Sequence, residues 1–366
     1  MIQYIFSFII LISIVVFIHE YGHYYFAKKY KVGVTDFSIG FGKELFGFND
    51  KDGTRWKFCI IPLGGYVKFF GDSNAASQPK SISKIDVNDR SKLLSSKPLY
   101  QRAIIVSAGP IANFLLAIII FATIFITVGK DITLPVISEV RQDSPADLAG
   151  LKSNDQITFI DKKKIQSIND VALLITTSTN DKISIDVIRN KKQLSFLITP
   201  EKKIIKDNFG NLSERKLIGI KIEPLKGQLE RKRMGPSQAL YLSIKETYNT
   251  ISMTLSYIGR MIVGKESADQ LGGPIKIAQI SGKVAEYGLV PFLSIMAYIS
   301  ISLGLINLFP IPLLDGGHLF FYFIEFIRGK PLSENVQIYF YKFGMALLFT
   351  LMFFATFNDL KSLGLF

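Results

Sequence analysis

The sequence predicts a polytopic α-helical membrane protein: four transmembrane helices, a membrane-associated β-hairpin region and one small α+β domain inserted between spans. Three observations carry this. Of 366 residues, 48% are hydrophobic, and they collect in a few long uncharged runs. Lysine-rich polar stretches separate those runs. Between the second and third runs lies a stretch of short β-rich segments and turns.

The first span covers residues 2 to about 26. Met1 to Ile18 is uncharged, but it has neither a basic n-region nor a small-residue cleavage site, so it reads as a retained helix rather than a signal peptide. The second span lies between Arg102 and Lys130, with 27 uncharged residues. The third is Pro291 to Leu314, uncharged over 24 residues, and it places Asp315 at its end. At about 1.5 Å per residue both can cross a bilayer. The fourth, Phe343 to Phe357, is shorter and needs its flank, with Lys342 snorkelling outward.

Between the first two spans, Gly40-Phe41-Gly42, Trp56-Lys57-Phe58 and Ile61 to Phe70 read as short strands with glycine turns, including one at Gly64-Gly65. Such apolar hairpins beside a membrane can dip into it. Residues 73–97, rich in Ser, Lys and Asp, read as a flexible linker. Over residues 135–200, β-rich runs such as Ile183 to Ile188 and Leu194 to Ile198 alternate with turns. Ser144 suits a helix N-cap, Pro145 the first helical position and Gly150 the helix end. From Gly235 to Gly264, Leu240, Ile244, Tyr248, Ile251 and Leu255 recur at helical spacing after the basic run Arg231-Lys232-Arg233. This fits an amphipathic helix lying on a membrane or packed on the soluble domain.

The expected divisions are 1–128 for the first two spans and their loop, 129–205 for the inserted domain, 206–290 for a linker and amphipathic helix, and 291–366 for the last two spans. Residues 27–102 hold 14 Lys plus Arg against 7 Asp plus Glu, which assigns that loop to the cytoplasm. The inserted domain then lies outside. The first and third spans both run inward, so His19, His23 and Asp315 meet at one depth near the cytoplasmic face. The net charge of +13 is that of lysines flanking spans and solvating loops. No nucleic-acid motif accompanies it, and no nucleic-acid partner is expected.

His19-Glu20-Tyr21-Gly22-His23 has the pattern of a metallopeptidase site. Histidines four apart on a helix share one face and can grip one ion. Glu20, next to the first ligand, reaches a water at the metal and suits a general base. Ionisable residues ending an 18-residue uncharged run are costly and usually functional. Cys59 is the single cysteine, so a cysteine-rich zinc site is excluded and one Zn²⁺ must be held by His and carboxylate. The chain has three histidines. The third ligand is Asp315 or His318, one helical turn apart.

These motifs, with Gly109-Pro110-Ile111-Ala112-Asn113, Ile61 to Lys68 and Asn307-Leu308-Phe309-Pro310-Ile311-Pro312-Leu313-Leu314-Asp315-Gly316, resemble the site-2 protease family. The bacterial regulator of sigma-E protease branch is the nearest likeness, and it covers nearly the whole chain in order. The resemblance implies an intramembrane zinc endopeptidase of the bacterial inner membrane, with His19, His23 and Asp315 as zinc ligands and Glu20 as base. It also implies that Asn307 binds the backbone of the substrate. Implied partners are the bilayer and membrane-spanning substrates, such as trimmed anti-sigma factors or remnant signal peptides. Gly109 and Asn113 read better as helix-packing residues. Val136 to Val140, Ser144-Pro145-Ala146, Ala149 to Lys152 and Asp155-Gln156-Ile157 resemble a bacterial PDZ domain, with room for one copy. A non-catalytic PDZ-bearing scaffold is the alternative, but it needs neither Glu20 nor a ligand set. A metal transporter would carry further ionisable groups in its spans, and the second and third carry none.

Overall fold

A computed structural model describes residues 2–72, 87–178, 180–206, 212–264, 268 and 271–362. Helix α1 (Ile2–Lys29) leads into strands β1 (Val34–Asn49) and β2 (Arg55–Phe69), then helix α2 (Leu99–Thr127). There follow β3 (Lys130–Asp131), β4 (Pro135–Val140), α3 (Pro145–Leu148), β5 (Gln156–Ile160), β6 (Lys163–Lys164) and α4 (Ile168–Thr177). Next come β7 (Ile183–Arg189), β8 (Lys192–Ile198), β9 (Glu201–Lys206), β10 (Leu212–Leu217), β11 (Ile220–Pro224) and β12 (Arg231–Lys232). Helices α5 (Pro236–Ile262), α6 (Pro274–Glu286), α7 (Leu289–Asn307), α8 (Asp315–Arg328) and α9 (Glu334–Ser362) complete the chain.

Among the described residues, four helices are long and apolar enough to cross a membrane: Gln3–Lys29, Leu99–Thr127, Leu289–Asn307 and Asn335–Lys361. The third stops at Asn307 rather than Leu314, because Phe309-Pro310-Ile311-Pro312 cannot continue it: proline lacks the N–H and disfavours helix in the residue before it. Asp315 therefore begins α8 instead of ending the third span. The fourth is longer than its apolar centre, since Lys342 and its polar neighbours stay helical.

The chain divides into two compact units. One comprises residues 1–121, 243–252 and 271–360, and the other 122–242, 253–270 and 361–366. In the first, β1 and β2 form one long hairpin with a turn at Asp50 to Thr54, not several short strands. Gly64 and Gly65 lie inside β2 rather than in a turn. The sheet curls on itself: Ser38 is in register with Tyr66 on one side and Lys57 on the other. Residues 65–69 thus form an edge, paired on one side among the described residues. Phe37, Ile39, Val67 and Phe69 bury against Ala27 and Ile105, while Leu45, Phe46, Phe48 and Ile60 remain exposed. Of the linker expected over 73–97, residues 73–86 lie outside the described residues. Residues 87–92 and 94–96 are short 3-10 helices, held by buried Leu93 and by the Gly33 N–H donating to the Lys92 carbonyl.

Asp50 organises the hairpin turn. It accepts from Tyr24 Oη at 2.8 Å, from the indole N–H of Trp56 at 3.1 Å and from the Thr54 N–H at 2.8 Å. Burial opposes its ionisation, but these donors win and hold its carboxyl at about 2. An unfolded Asp titrates near ~3.9. The folded value is depressed, so this stabilisation is complete above that pH and is lost as pH falls toward 2. Trp56 is the single tryptophan. Its fluorescence in an acid titration is expected to report a transition between about pH 4 and 2, absent in Asp50→Asn. A transition unchanged in that variant would refute the role of Asp50.

α6 was not evident from the sequence. Its N-terminal N–H groups at Ile275 and Lys276, with that of Gly273, donate to the Asp359 carboxylate of α9. Helix α6 then packs against the start of α1, where Gly282 meets the Tyr4 ring.

In the second unit the sheet order is β11-β4-β5-β7-β8, with β6 beside β5. Ile137, Ile157, Ile160, Ile183, Ile185 and Ile198 fill its core under α4. Ser144 caps α3 through the Asp147 N–H, with Pro145 first in the helix. Gly150 has φ +92°, as a helix end requires. The sheet takes in β11, beyond the range 129–205.

Candidate metal centre

His19 and His23 lie one turn apart on the same face of α1, both buried. Small residues let α2 close over them. A side chain at Gly22 would come within 2.4 Å of the Ala108 carbonyl oxygen, and one at Gly109 within 2.2 Å of His23 Nε2. Gly109 therefore makes room for the imidazole itself.

Asp315 reaches this face through the turn after α7. Leu313 adopts φ +83°, uncommon for a non-glycine residue and a local strain of the kind found at functional sites. Farther along α8, Glu325 accepts two hydrogen bonds from the Arg102 guanidinium, one at 3.0 Å, anchoring α8 to the start of α2.

Three side chains converge. His19 Nε2 and His23 Nε2 are 3.2 Å apart. Asp315 Oδ2 lies 3.2 Å from His19 Nε2, and Oδ1 lies 3.4 Å from His23 Nε2. Tetrahedral ligands about 2.0–2.1 Å from zinc stand about 3.3 Å from one another, so the spacing fits that ion. Asp315 Oδ2 is also buried and, among the described residues, has no hydrogen bond, an acceptor that a cation would satisfy. The His23 Nδ1 faces the Ile105 carbonyl at 2.9 Å, which leaves Nε2 as the lone-pair nitrogen. His19, His23 and Asp315 are the one such group among the described residues. His318 stands outside it, with its ring 5.9 Å from that of Tyr341.

Glu20 is buried beside the triad. A side chain at Gly65 would come within 3.1 Å of its Cγ, and the Val67 N–H lies against its carboxylate. The edge of β2 thus passes directly over Glu20. Asn307, at the end of α7, places Nδ2 3.3 Å from His19 Nε2. All these groups open into a cavity of about 800 Å³, walled by Tyr66, Leu303, Leu313, Met345 and Met352 among others.

The family model described as "Peptidase family M50" matches residues 7–351. The chain belongs to peptidase family M50. Its likeness to the site-2 proteases is thereby shown, and with it a multi-pass membrane protein of the metalloprotease class. Relatives named as candidate zinc metalloproteases include one from Agrobacterium fabrum, 44% identical over 98% of this chain and 96% of the relative. One from Rickettsia conorii is 39% identical over 98% of this chain and 99% of the relative. One from Pasteurella multocida is 33% identical over 96% of this chain and 97% of the relative.

Within this M50 peptidase the residues anticipated from the motifs, His19, Glu20, His23, Asn307 and Asp315, stand in one cluster. The geometry adds what the motifs did not reveal. Ile105 backs one histidine, the β2 edge covers Glu20, and Asn113 Nδ2 lies 3.2 Å from His19 Nδ1. A signal for Asn113 existed: an amide inside an apolar span, one turn beyond Gly109. Backbone groups such as the Ile105 carbonyl leave no such signal.

Proposed function

We propose that the chain is a zinc-dependent intramembrane endopeptidase that cuts membrane-spanning protein substrates near the cytoplasmic side of a bacterial inner membrane. The observation that carries it is the convergence of two imidazoles and one carboxylate where the uncharged run of α1 ends, with a buried carboxylate beside them. His19, His23 and Asp315 would hold the ion, which would supply Lewis-acid activation of water and of the scissile carbonyl. Glu20 takes the proton from the attacking water and delivers it to the leaving amide nitrogen. A substrate helix satisfies its own carbonyls, so it must unwind before cleavage. The free edge of residues 65–69 supports the unwound segment as an added strand, and Asn307 binds its backbone near the metal. Single-span anti-sigma factors and remnant signal peptides are the substrate classes that fit.

The exposed Leu45, Phe46, Phe48 and Ile60 of the hairpin support its insertion into the membrane. Exposed Leu240, Ile244, Tyr248 and Leu255 on α5 support a helix lying at the interface rather than packed on the soluble unit. The inserted domain reads as a PDZ domain on the outer side. Its edge strand β11 and helix α4 flank a groove of about 470 Å³ lined by Val171, Ile175, Lys216, Ile218 and Ile220, a form suited to an extended peptide.

The test uses the purified full-length protein in detergent. It is expected to contain one zinc per chain and to cleave a single-span model substrate, to lose cleavage with a chelator and to regain it with zinc. Cleavage indifferent to metal removal refutes the proposal.

A further inference from the structure

We infer that Asn113 is a positioning residue that sets the tautomer of His19 by accepting its Nδ1 proton. The inference rests on the proposed role of His19 as a zinc ligand and adds a residue behind it. His19 Nε2 is the nitrogen facing His23 and Asp315. To present a lone pair there, the neutral ring must carry its proton on Nδ1, and a buried N–H needs an acceptor. His23 has one in the Ile105 carbonyl at 2.9 Å. For His19 the neighbouring group is Asn113, fully buried, with its amide 3.2 Å from Nδ1.

The backbone of Asn113 is held in place from behind. Its main-chain carbonyl accepts from Ser300 Oγ at 2.8 Å, and a side chain at Gly304 would stand 3.2 Å from Asn113 Cβ. Among the described residues Asn113 Oδ1 has no hydrogen-bond partner that a half-turn bringing it to His19 Nδ1 would break. Either orientation leaves one buried amide atom without a partner, so the imidazole proton decides between them. With Nδ2 toward the ring, the amide would donate to Nδ1 and force the proton onto Nε2, which blocks ligation. With Oδ1 toward the ring, both histidines present Nε2 to one point, each backed by an acceptor from α2.

The test measures the zinc dissociation constant of the full-length protein by competition with a chelating dye. Asn113→Leu keeps the volume and removes the acceptor, and it is expected to weaken zinc about 10–100-fold. Asn113→Asp keeps an acceptor and cannot donate, and it is expected to retain wild-type affinity or exceed it. Unchanged affinity in Asn113→Leu overturns the inference. So does Asn113→Asp weakening by tenfold or more, since that marks a donor or packing role. If Asn113→Leu does not fold, Asn113→Asp decides alone. His19→Ala separates the two levels. Zinc retained in that variant overturns the ligand assignment and this inference together, whereas zinc lost there but unchanged in Asn113→Leu overturns this inference alone.

Discussion

Glu20→Gln is expected to lower cleavage of a membrane-spanning substrate by about 10²–10⁴-fold while zinc stays bound. Gln preserves the size of the side chain and its place under β2, but its amide cannot take a proton from water. The triad of His19, His23 and Asp315 is untouched, so zinc content should equal that of the wild type. These two readouts together distinguish loss of a base from loss of the metal. Cleavage at the wild-type rate by a fully loaded Glu20→Gln protein would remove Glu20 as the base. The burial of Glu20 makes the result sharp, because among the described residues the one other carboxylate lining the cavity is Asp315.

The second large effect concerns the proposed third ligand. Asp315→Asn replaces an anionic oxygen by a neutral amide. It is expected to weaken zinc by more than the 10–100-fold typical of groups that merely support a ligand. His318→Ala is expected to leave one zinc per chain. His318 is one turn further along α8 and lies beside Tyr341, outside the converging group. The comparison is read as zinc stoichiometry on folded, monodisperse protein, so that a packing defect at His318 is not mistaken for lost ligation. Zinc retained in Asp315→Asn and abolished in His318→Ala would exchange the two assignments.

The pair of variants also bears on the strained turn. Leu313, at φ +83°, aims the start of α8 at the histidines. This is where sequence spacing alone left two candidates. A span drawn from hydropathy runs through Asn307 to Leu314 without a break, because Leu, Phe and Ile are as apolar in a turn as in a helix. Only the prolines at 310 and 312 mark the break. Once the chain turns there, Asp315 becomes the first residue of a new helix and His318 falls a turn behind.

The same contrast runs through the molecule. Helix α1 with its His-Glu pair, the existence of four spans and the capped helix at Ser144 were legible because local rules govern them: uncharged length, i,i+4 spacing and cap chemistry. The edge of β2 over Glu20, the groups behind each histidine and α6 seated on Asp359 were not, because each joins residues far apart in sequence. Hydrogen-bond partners supplied by backbone carbonyls carry no residue signature at all. The sequence by itself determined the candidate side chains, with Asp315 and His318 both open, and the apolar length of the helices around them. The tertiary structure alone decided which of them meet, because ligation requires atoms about 3 Å apart and spacing along the chain says nothing of that distance.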